Sequence, residues 1–216
     1  MEENAVRALK VADFLLQIAA VKLSPENPFT WASGLRSPIY CDNRKTLSYP
    51  AIRRELAKAF ADAIKEQYPN TEVIAGVATG GIAIGALTAE LLDLPFIYVR
   101  SEAKKHGLGN QVEGIVPDGK KVVVIEDLVS TGKSSLNAVE ALREVNAQVL
   151  GMMAIFTYGF AKAAKAFEDA TCDLYTLSNY DFLVQKAASN GYVSEDQLQT
   201  LNDWKINPEQ WSASFS

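Results

Sequence analysis

Residues 122–135 read VVVIEDLVSTGKSS, and the order of residue types in this stretch indicates the fold of the surrounding chain. The first four residues are an apolar run typical of a buried strand, which we predict to end at Glu126. Small polar residues follow, and a helix is predicted to begin near Gly132. Ligands of open α/β sheets bind at the carboxyl ends of strands, so a binding site is expected at the turn formed by residues 128–131.

The last residues of the stretch allow a second interpretation, because Gly-Lys-Ser also ends the phosphate-binding P-loop of ATPases. That pattern requires a glycine five positions before Gly132, where this chain has Asp127. A carboxylate beside a triphosphate would be repelled in a site with little water. We therefore rank a P-loop ATPase last among the functions that the sequence allows.

The polar residues after the strand predict a phosphate site. Backbone N–H groups at the start of a helix attract an anion, and nearby hydroxyls add hydrogen bonds. The hydroxyls expected to converge there belong to Ser130, Thr131, Ser134 and Ser135. Glu126 and Asp127 can accept hydrogen bonds from a vicinal diol, so ribose 5-phosphate is a ligand that fits. The alternative is that Glu126 is a solvated strand end and Asp127 is a helix-capping acid.

The composition of the 216-residue chain limits the classes of protein to consider. This length accommodates one sizeable core, and we expect one domain with an N-terminal extension. The formal net charge of −5 argues against a large basic surface for nucleic acid. Cys41 and Cys172 lack metal-ligand spacing, so neither a disulfide framework nor a zinc site is indicated. No apolar run reaches about 18 residues, and the expected location is the cytoplasm, without a membrane partner.

The pattern divides the chain into three segments. Residues 1–45 are predicted to form an N-terminal helix and a hood, residues 46–180 an α/β core, and residues 181–216 a C-terminal helical segment that packs on the core. From residue 72 onward, short β-rich runs alternate with helical stretches, which predicts a mostly parallel twisted sheet flanked by helices. The segment 100–119 is polar and glycine-rich, and a long segment of this kind is often an active-site lid.

Three stretches together resemble a known family. The apolar run, acidic pair, short turn and Thr-Gly of residues 122–132 are similar to the phosphoribosyl pyrophosphate motif of the type I phosphoribosyltransferases. Residues 100–107 (RSEAKKHG) resemble the mobile catalytic loop of the orotate phosphoribosyltransferases, and residues 29–40 (FTWASGLRSPIY) resemble the hood of these enzymes. With the glycine-rich turn at residues 78–81, the resemblance covers roughly residues 5–180. It implies the type I phosphoribosyltransferase fold with a small N-terminal hood.

The resemblance also implies a reaction that depends on Mg²⁺. Ribose 5-phosphate would pass from phosphoribosyl pyrophosphate to orotate, giving orotidine 5′-phosphate and pyrophosphate in pyrimidine (UMP) biosynthesis. Mg²⁺ would be held mainly by oxygen atoms of the substrate, with no direct ligand from the protein. The family further implies a homodimer with a shared active site, in which the loop reaches the neighbouring site.

The same resemblance assigns roles to individual residues. Lys104 and His106 in the loop are the candidate catalytic residues, and a solvated basic turn is the alternative interpretation of this loop. The predicted pyrophosphate turn contains Thr79 and Gly80. The candidate orotate contacts are Ser130 and Tyr40, although Tyr40 also suits a protein core. The residues expected to bind phosphoribosyl pyrophosphate are Arg100, Lys104, Lys105, His106, Glu126, Asp127, Leu128, Val129, Ser130, Thr131, Gly132, Lys133 and Ser134.

Three positions depart from the bacterial pattern of the family. That pattern has a lysine in the pyrophosphate turn, where this chain has Gly80, and another in the hood, where this chain has Ala32. It also has an arginine after the strand predicted to end near Phe156, but no arginine follows Arg143 in this chain. The carboxylate of orotate would then be bound by backbone N–H groups or by Arg36.

Two other functions compete with orotate transfer. A purine-specific type I phosphoribosyltransferase would share the motif of residues 122–132, but we would expect less of the hood in such an enzyme. A regulatory protein would retain the site as a non-catalytic sensor of phosphoribosyl pyrophosphate and bind nucleic acid through a basic face. The acidic net charge and the basic loop argue against the regulator.

Overall fold

The computed structural model describes residues 2–101 and 111–215. Its α-helices are α1 (Glu2–Gln17), α2 (Pro50–Gln67), α3 (Gly80–Leu92), α4 (Lys133–Glu144), α5 (Ala161–Asp169), α6 (Tyr180–Ser189), α7 (Glu195–Ile206) and α8 (Pro208–Ala213), and a 3₁₀-helix spans Asn43–Ser48. Its strands are β1 (Val21–Leu23), β2 (Phe29–Thr30), β3 (Arg36–Ser37), β4 (Ile39–Cys41), β5 (Val73–Val77), β6 (Phe96–Val99), β7 (Val112–Glu113), β8 (Lys121–Val129), β9 (Gln148–Thr157) and β10 (Leu174–Asn179). Within the described ranges, no helix combines the length and the apolar character needed to cross a membrane.

Six strands form the central sheet in the order β10-β9-β8-β5-β6-β7. The β5 strand pairs in parallel with β6 on one side and with β8 on the other, and β9 continues the parallel pairing beyond β8. The short β7 strand pairs antiparallel with β6 at the edge of the sheet. Helices α3 and α4 pack against these strands. The predicted α/β class, with a mostly parallel sheet flanked by helices, is confirmed.

The strand order makes the connections of β5 and β8 diverge at the carboxyl ends of these two strands. From β5 the chain passes through α3 to β6 on one side, whereas β8 continues through α4 to β9 on the other side. Neighbouring strands whose connections diverge in this way form the place where ligands of open α/β sheets bind. The turns that follow β5 and β8 therefore lie side by side at this edge.

The β8 strand is longer than the sequence predicts. Residues 122–125 are completely buried, as expected for a strand covered on both faces. The strand nevertheless continues past Glu126 to Val129, because its last residues pair with the end of β9. The prediction that the strand ends at Glu126 is wrong, and the turn begins only at Ser130.

The helix after β8 begins close to its predicted start. Helix α4 starts at Lys133, and Gly132 precedes it with a φ of +84°. This left-handed conformation is strained for a residue that carries a side chain. A Cβ at this position would also lie only 2.9 Å from the ring of Phe167. Glycine is therefore required at position 132 by both the backbone and the packing.

The chain forms two compact units, and their boundaries differ from the sequence-based division. One unit contains Leu47–Leu177, and the other joins Met1–Thr46 with Ser178–Ser216. The terminal segments belong together because α1 packs against α6, and β3 packs against α8. The sequence-based division kept residues 1–45 and 181–216 apart, since contacts between distant parts of a chain leave no local pattern. The C-terminal segment is helical, as predicted, and contains α6, α7 and α8.

Aromatic packing holds the hood within its own unit. The rings of Trp31 and Trp204 meet edge to face, with centroids 5.8 Å apart. Trp204 is completely buried, and its ring lies 5.3 Å from that of Tyr180. The backbone N–H of Arg36 donates a hydrogen bond to the hydroxyl of Ser212 at 2.8 Å. The hood is therefore built from the N-terminal strands together with the C-terminal helices.

Candidate active site

Glu126 lies near the carboxyl end of β8, and only 5% of its surface is exposed. Its Oε1 accepts a hydrogen bond from the backbone N–H of Asp127 at 2.9 Å, and its Oε2 accepts one from the hydroxyl of Ser135 at 3.2 Å. Burial, followed by the negative charge of Asp127, raises the pKa of Glu126 above its ordinary value. The alternative that Glu126 is a solvated strand end is therefore wrong.

Asp127 is half-buried and faces the turn that follows β5. A Cβ added to Gly80 would overlap the carboxylate of Asp127, so the two turns approach each other closely here. Gly81 is equally confined, because a Cβ there would overlap the carbonyl oxygen of Ile125 in β8. The two glycines allow α3 to begin directly against β8, which brings the predicted pyrophosphate turn beside the acidic pair.

The predicted pyrophosphate turn is tied to the end of a neighbouring strand. The backbone N–H of Ala78 donates a hydrogen bond to the carbonyl of Val99, the last residue of β6, at 2.8 Å. The peptide bond between Ala78 and Thr79 is cis. Thr79 is exposed, and Gly80 is the first residue of α3. The structure thus brings both turn residues to the edge of the sheet where β8 ends.

The predicted phosphate-binding residues are divided between β8 and the turn. Leu128 and Val129 belong to the strand, and Val129 is completely buried. Ser130 is half-buried at the start of the turn. The exposed side chains that follow are those of Thr131, Lys133 and Ser134. Among the described residues no side chain caps the start of α4, so its first backbone N–H groups can bind an anion.

Ser135 does not occupy the position that the sequence predicts. It is 1% exposed and donates its hydrogen bond to Glu126, nine positions earlier in the chain, instead of facing the phosphate site. A serine in a helix often donates to a carbonyl of the preceding turn, and no sequence pattern indicates a bond back across a turn to a strand. Sequence reasoning therefore missed the contact between Ser135 and the buried acid.

Arg100 is the predicted loop residue that the structure describes. Its Nη1 lies 3.4 Å from Oε1 of Glu113 on β7, and its backbone N–H donates to the carbonyl of Gln111 at 2.9 Å. The side-chain amide of Gln111 donates to the carbonyls of Arg100 and Ser101 at 3.3 and 3.4 Å. These bonds connect the chain on both sides of residues 102–110. The candidate residues outside the described ranges are Lys104, Lys105 and His106, and their roles stay predictions.

Two candidate orotate contacts belong to the unit that contains the hood. Tyr40 is 41% exposed, and its ring lies 5.7 Å from that of Phe29. The alternative that Tyr40 is a core residue is therefore wrong. The guanidinium of Arg36 donates a hydrogen bond to the hydroxyl of Thr30 at 3.0 Å. A contact of Tyr40 or Arg36 with orotate stays a prediction.

Comparison with known proteins assigns the family. Residues 45–188 match the family described as the phosphoribosyl transferase domain. The orotate phosphoribosyltransferase of Listeria innocua is 55% identical over 202 residues, which cover 94% of this chain and 97% of that protein. The chain belongs to the orotate phosphoribosyltransferase family. The family resemblance of the β8 stretch is thus confirmed, and the interpretation as a P-loop ATPase is excluded.

Solved structures share the fold of the orotate phosphoribosyltransferase family. The crystal structure of orotate phosphoribosyltransferase from Aeropyrum pernix is 28% identical with a TM-score of 0.73, covering 85% of this chain and 99% of that chain. The structure of Leishmania donovani UMP synthase is 26% identical with a TM-score of 0.76, covering 92% of this chain and 42% of that chain. These similarities confirm the type I phosphoribosyltransferase fold.

The family implies Mg²⁺, and the oxygen atoms at the site fit this ion. The described part of the chain contains no group of three or more His, Cys, Asp or Glu residues arranged to hold a metal. The carboxylates near the end of β8 belong to Asp127 and to Glu126, whose two oxygens both accept hydrogen bonds. Mg²⁺ prefers oxygen ligands and commonly combines one or two carboxylates with waters and substrate phosphates. Asp127 and Glu126 therefore have the type of oxygen that Mg²⁺ prefers, and binding of Mg²⁺ to this chain stays a prediction.

Proposed function

We propose that this chain transfers ribose 5-phosphate from phosphoribosyl pyrophosphate to N1 of orotate, giving orotidine 5′-phosphate and pyrophosphate. The observation that carries the proposal is the arrangement near the end of β8, where an acidic pair directly precedes a phosphate-binding helix start. Glu126 and Asp127 suit the hydroxyls of ribose, and the start of α4 suits its phosphate. Orotate as the acceptor is supported by relatives that are 55% and 54% identical.

The two turns at the sheet edge are proposed to bind different parts of phosphoribosyl pyrophosphate. The 5′-phosphate is proposed to bind the backbone N–H groups and hydroxyls between Ser130 and Ser134. The ribose hydroxyls donate to Glu126 and Asp127, since carboxylates accept hydrogen bonds from neighbouring hydroxyls. The pyrophosphate lies toward Thr79 and Gly80, because this turn directly faces Asp127. One edge of the sheet then holds the phosphate, the sugar and the leaving group.

The proposed reaction exchanges one bond at C1 of the ribose for another. The bond between C1 and the pyrophosphate oxygen breaks, and its electron pair leaves with pyrophosphate. Orotate gives up its N1 proton to solvent water, and the N1 electron pair forms the new bond to C1. Positive charge develops on the ribose during this exchange, and the carboxylate of Asp127 is proposed to stabilise that charge.

Further residues are proposed to act on the leaving group. Arg100, Lys104 and Lys105 would neutralise the charge of pyrophosphate, and His106 would donate a proton to it. Mg²⁺ would supply additional positive charge when bound to the substrate oxygens. We also propose a cytoplasmic homodimer with a shared active site and a role in pyrimidine (UMP) biosynthesis, in keeping with the family resemblance.

A steady-state assay tests this function. The purified protein, with Mg²⁺ and phosphoribosyl pyrophosphate, should consume orotate, which is followed as loss of its ultraviolet absorbance. Adenine, guanine and xanthine should not be consumed under the same conditions. Conversion of a purine without conversion of orotate would show a purine-specific enzyme, and binding of the donor without any conversion would show a regulatory sensor.

Variants of the loop residues test the proposed catalytic role of the loop. Lys104→Ala and His106→Ala should lower kcat strongly while leaving the midpoint of thermal unfolding close to that of the wild type. Arg44→Ala is a suitable control, because Arg44 is an exposed cation that pairs with Asp42, and both residues belong to the unit that contains the chain termini. Wild-type turnover in both loop variants would remove the proposed catalytic role of the loop.

A further inference from the structure

Ser135 links the two parts of the proposed site for phosphoribosyl pyrophosphate, which are the start of α4 and the acidic pair on β8. It lies in the first turn of α4, which starts at the phosphate-binding turn, and its hydroxyl donates to Oε2 of Glu126 on β8 at 3.2 Å. Both residues are buried, with 1% of Ser135 and 5% of Glu126 exposed. A hydrogen bond between two buried side chains restricts both of them, because neither can exchange its partner for water.

The orientation of the Glu126 carboxylate depends on two donors from different elements. The backbone N–H of Asp127 donates to Oε1 at 2.9 Å, and this donor belongs to the same strand as the acid. The hydroxyl of Ser135 donates to Oε2 and belongs to the helix. The contacts of Glu126 with Asp127 all come from the same strand as the acid. The donor from the helix fixes the carboxylate plane relative to the start of α4.

We infer that Ser135 is a positioning residue, which holds the Glu126 carboxylate at the distance from the phosphate-binding helix that ribose 5-phosphate requires. The inference rests on the proposed function, because it assumes that Glu126 accepts from the ribose hydroxyls. Ser135 itself does not touch the substrate. Its hydroxyl fixes the position of Oε2, so that the carboxyl group of Glu126 keeps one orientation toward the start of α4.

The test compares Michaelis constants for the two substrates. Ser135→Ala should raise KM for phosphoribosyl pyrophosphate about three- to tenfold, the range for loss of one hydrogen bond to a charged or polar group. KM for orotate should change by less than about twofold, because the removed bond concerns only the donor half of the site. A merely structural role would lower the active fraction and leave both Michaelis constants unchanged.

Thr88→Val is the matched control. Thr88 is also completely buried, and its hydroxyl donates to the carbonyl of Ile84 within α3 at 2.8 Å. The control should change stability without changing either Michaelis constant. An equal rise of KM for phosphoribosyl pyrophosphate in Thr88→Val would overturn the inference, because general loosening would then explain the effect of Ser135→Ala.

A double variant shows whether Ser135 acts through Glu126. If it does, Ser135→Ala should have little further effect in the Glu126→Gln background, so the effects of the single variants should not add. Additive effects would overturn the inference. Equilibrium binding of ribose 5-phosphate separates this outcome from failure of the proposed function. A wild type that neither converts orotate nor binds ribose 5-phosphate disproves the function, whereas equal binding by the wild type and Ser135→Ala disproves only the positioning role.

Discussion

The end of β8 and the hood carry two of the clearest family resemblances in the chain, but they are built in opposite ways. All residues from Glu126 to Ser135 are contiguous, and one strand end and one helix start set their geometry. In the hood, by contrast, the backbone of Arg36 bonds to Ser212, which is 176 positions later in the chain. A local site is specified by neighbouring residues, whereas the hood depends on residues that no local pattern connects to it.

The largest effect on stability is expected from removing the ring of Trp204, which lies at the centre of the aromatic cluster in the unit that contains the hood. Trp204→Ala should lower the free energy of unfolding by about 3–5 kcal/mol, because the ring is completely buried against Trp31 and Tyr180. Urea unfolding followed by circular dichroism measures this loss. Trp211→Ala is the control, since this half-buried ring contacts Phe215 near the chain end and should contribute less. An equal loss in both variants would show that the hood does not depend on distant packing.

The next effect concerns the acidic pair and should appear in catalysis rather than in stability. Asp127→Asn should lower kcat/KM for phosphoribosyl pyrophosphate about 10- to 100-fold, because an amide oxygen accepts a hydroxyl less strongly than a carboxylate does. Steady-state kinetics at saturating orotate measures the change. Asp169→Asn on α5 is the matched control, since Asp169 is exposed and pairs with the exposed Lys165. The structure already contradicts a helix-capping role for Asp127, which lies within β8, so an unchanged rate in Asp127→Asn would show that its carboxylate does not bind the ribose hydroxyls.

The regions compared by these two experiments differ in how far the sequence alone predicts their structure. The parallel sheet and the start of α4 were predictable, because β8 and α4 have strong local patterns and the φ of Gly132 favours glycine. The exact end of β8 was not, since pairing with β9 decides it. The bond from Ser135 to Glu126 and the joining of the terminal segments depend on packing between elements, which periodicity does not reveal.

A smaller effect should appear in the pH dependence of stability. The pKa of Glu126 is raised by burial, so the folded chain binds this proton more tightly than the unfolded chain. Its contribution to stability is therefore fully present below the ordinary pKa of 4.5 and is lost as the pH rises through the higher pKa of the folded state. The slope for one such group is at most about 1.4 kcal/mol per pH unit.

Glu126→Gln should remove this slope, as measured by urea unfolding at a series of pH values between acidic and mildly alkaline conditions. Glu72→Gln is a control that should change the pH dependence of stability in the opposite direction. Its pKa is lowered by the backbone N–H of Lys121 and then by the side chain of Lys120, so its contribution is lost as the pH falls. A Glu126→Gln variant that keeps the full wild-type slope would contradict the buried position of this acid.

The smallest effect is expected at the base of the loop. The pair between Arg100 and Glu113 is partly exposed, with 40% and 23% of the two side chains accessible. Glu113→Gln should therefore lower the free energy of unfolding by less than about 1 kcal/mol. The β6–β7 pairing and the bonds of Gln111 remain to hold the two ends together. A loss above about 2 kcal/mol in urea unfolding would indicate a desolvated ion pair instead.

The central claim is that the acidic pair recognises the hydroxyls of ribose beside a phosphate held by α4, and a comparison of two sugar phosphates tests it most directly. Isothermal titration of the wild type should show that ribose 5-phosphate binds about tenfold more tightly than 2-deoxyribose 5-phosphate, which lacks one hydroxyl. The double variant Glu126→Gln/Asp127→Asn should bind both sugars with similar affinity. Equal affinity for the two sugars in the wild type would contradict the account.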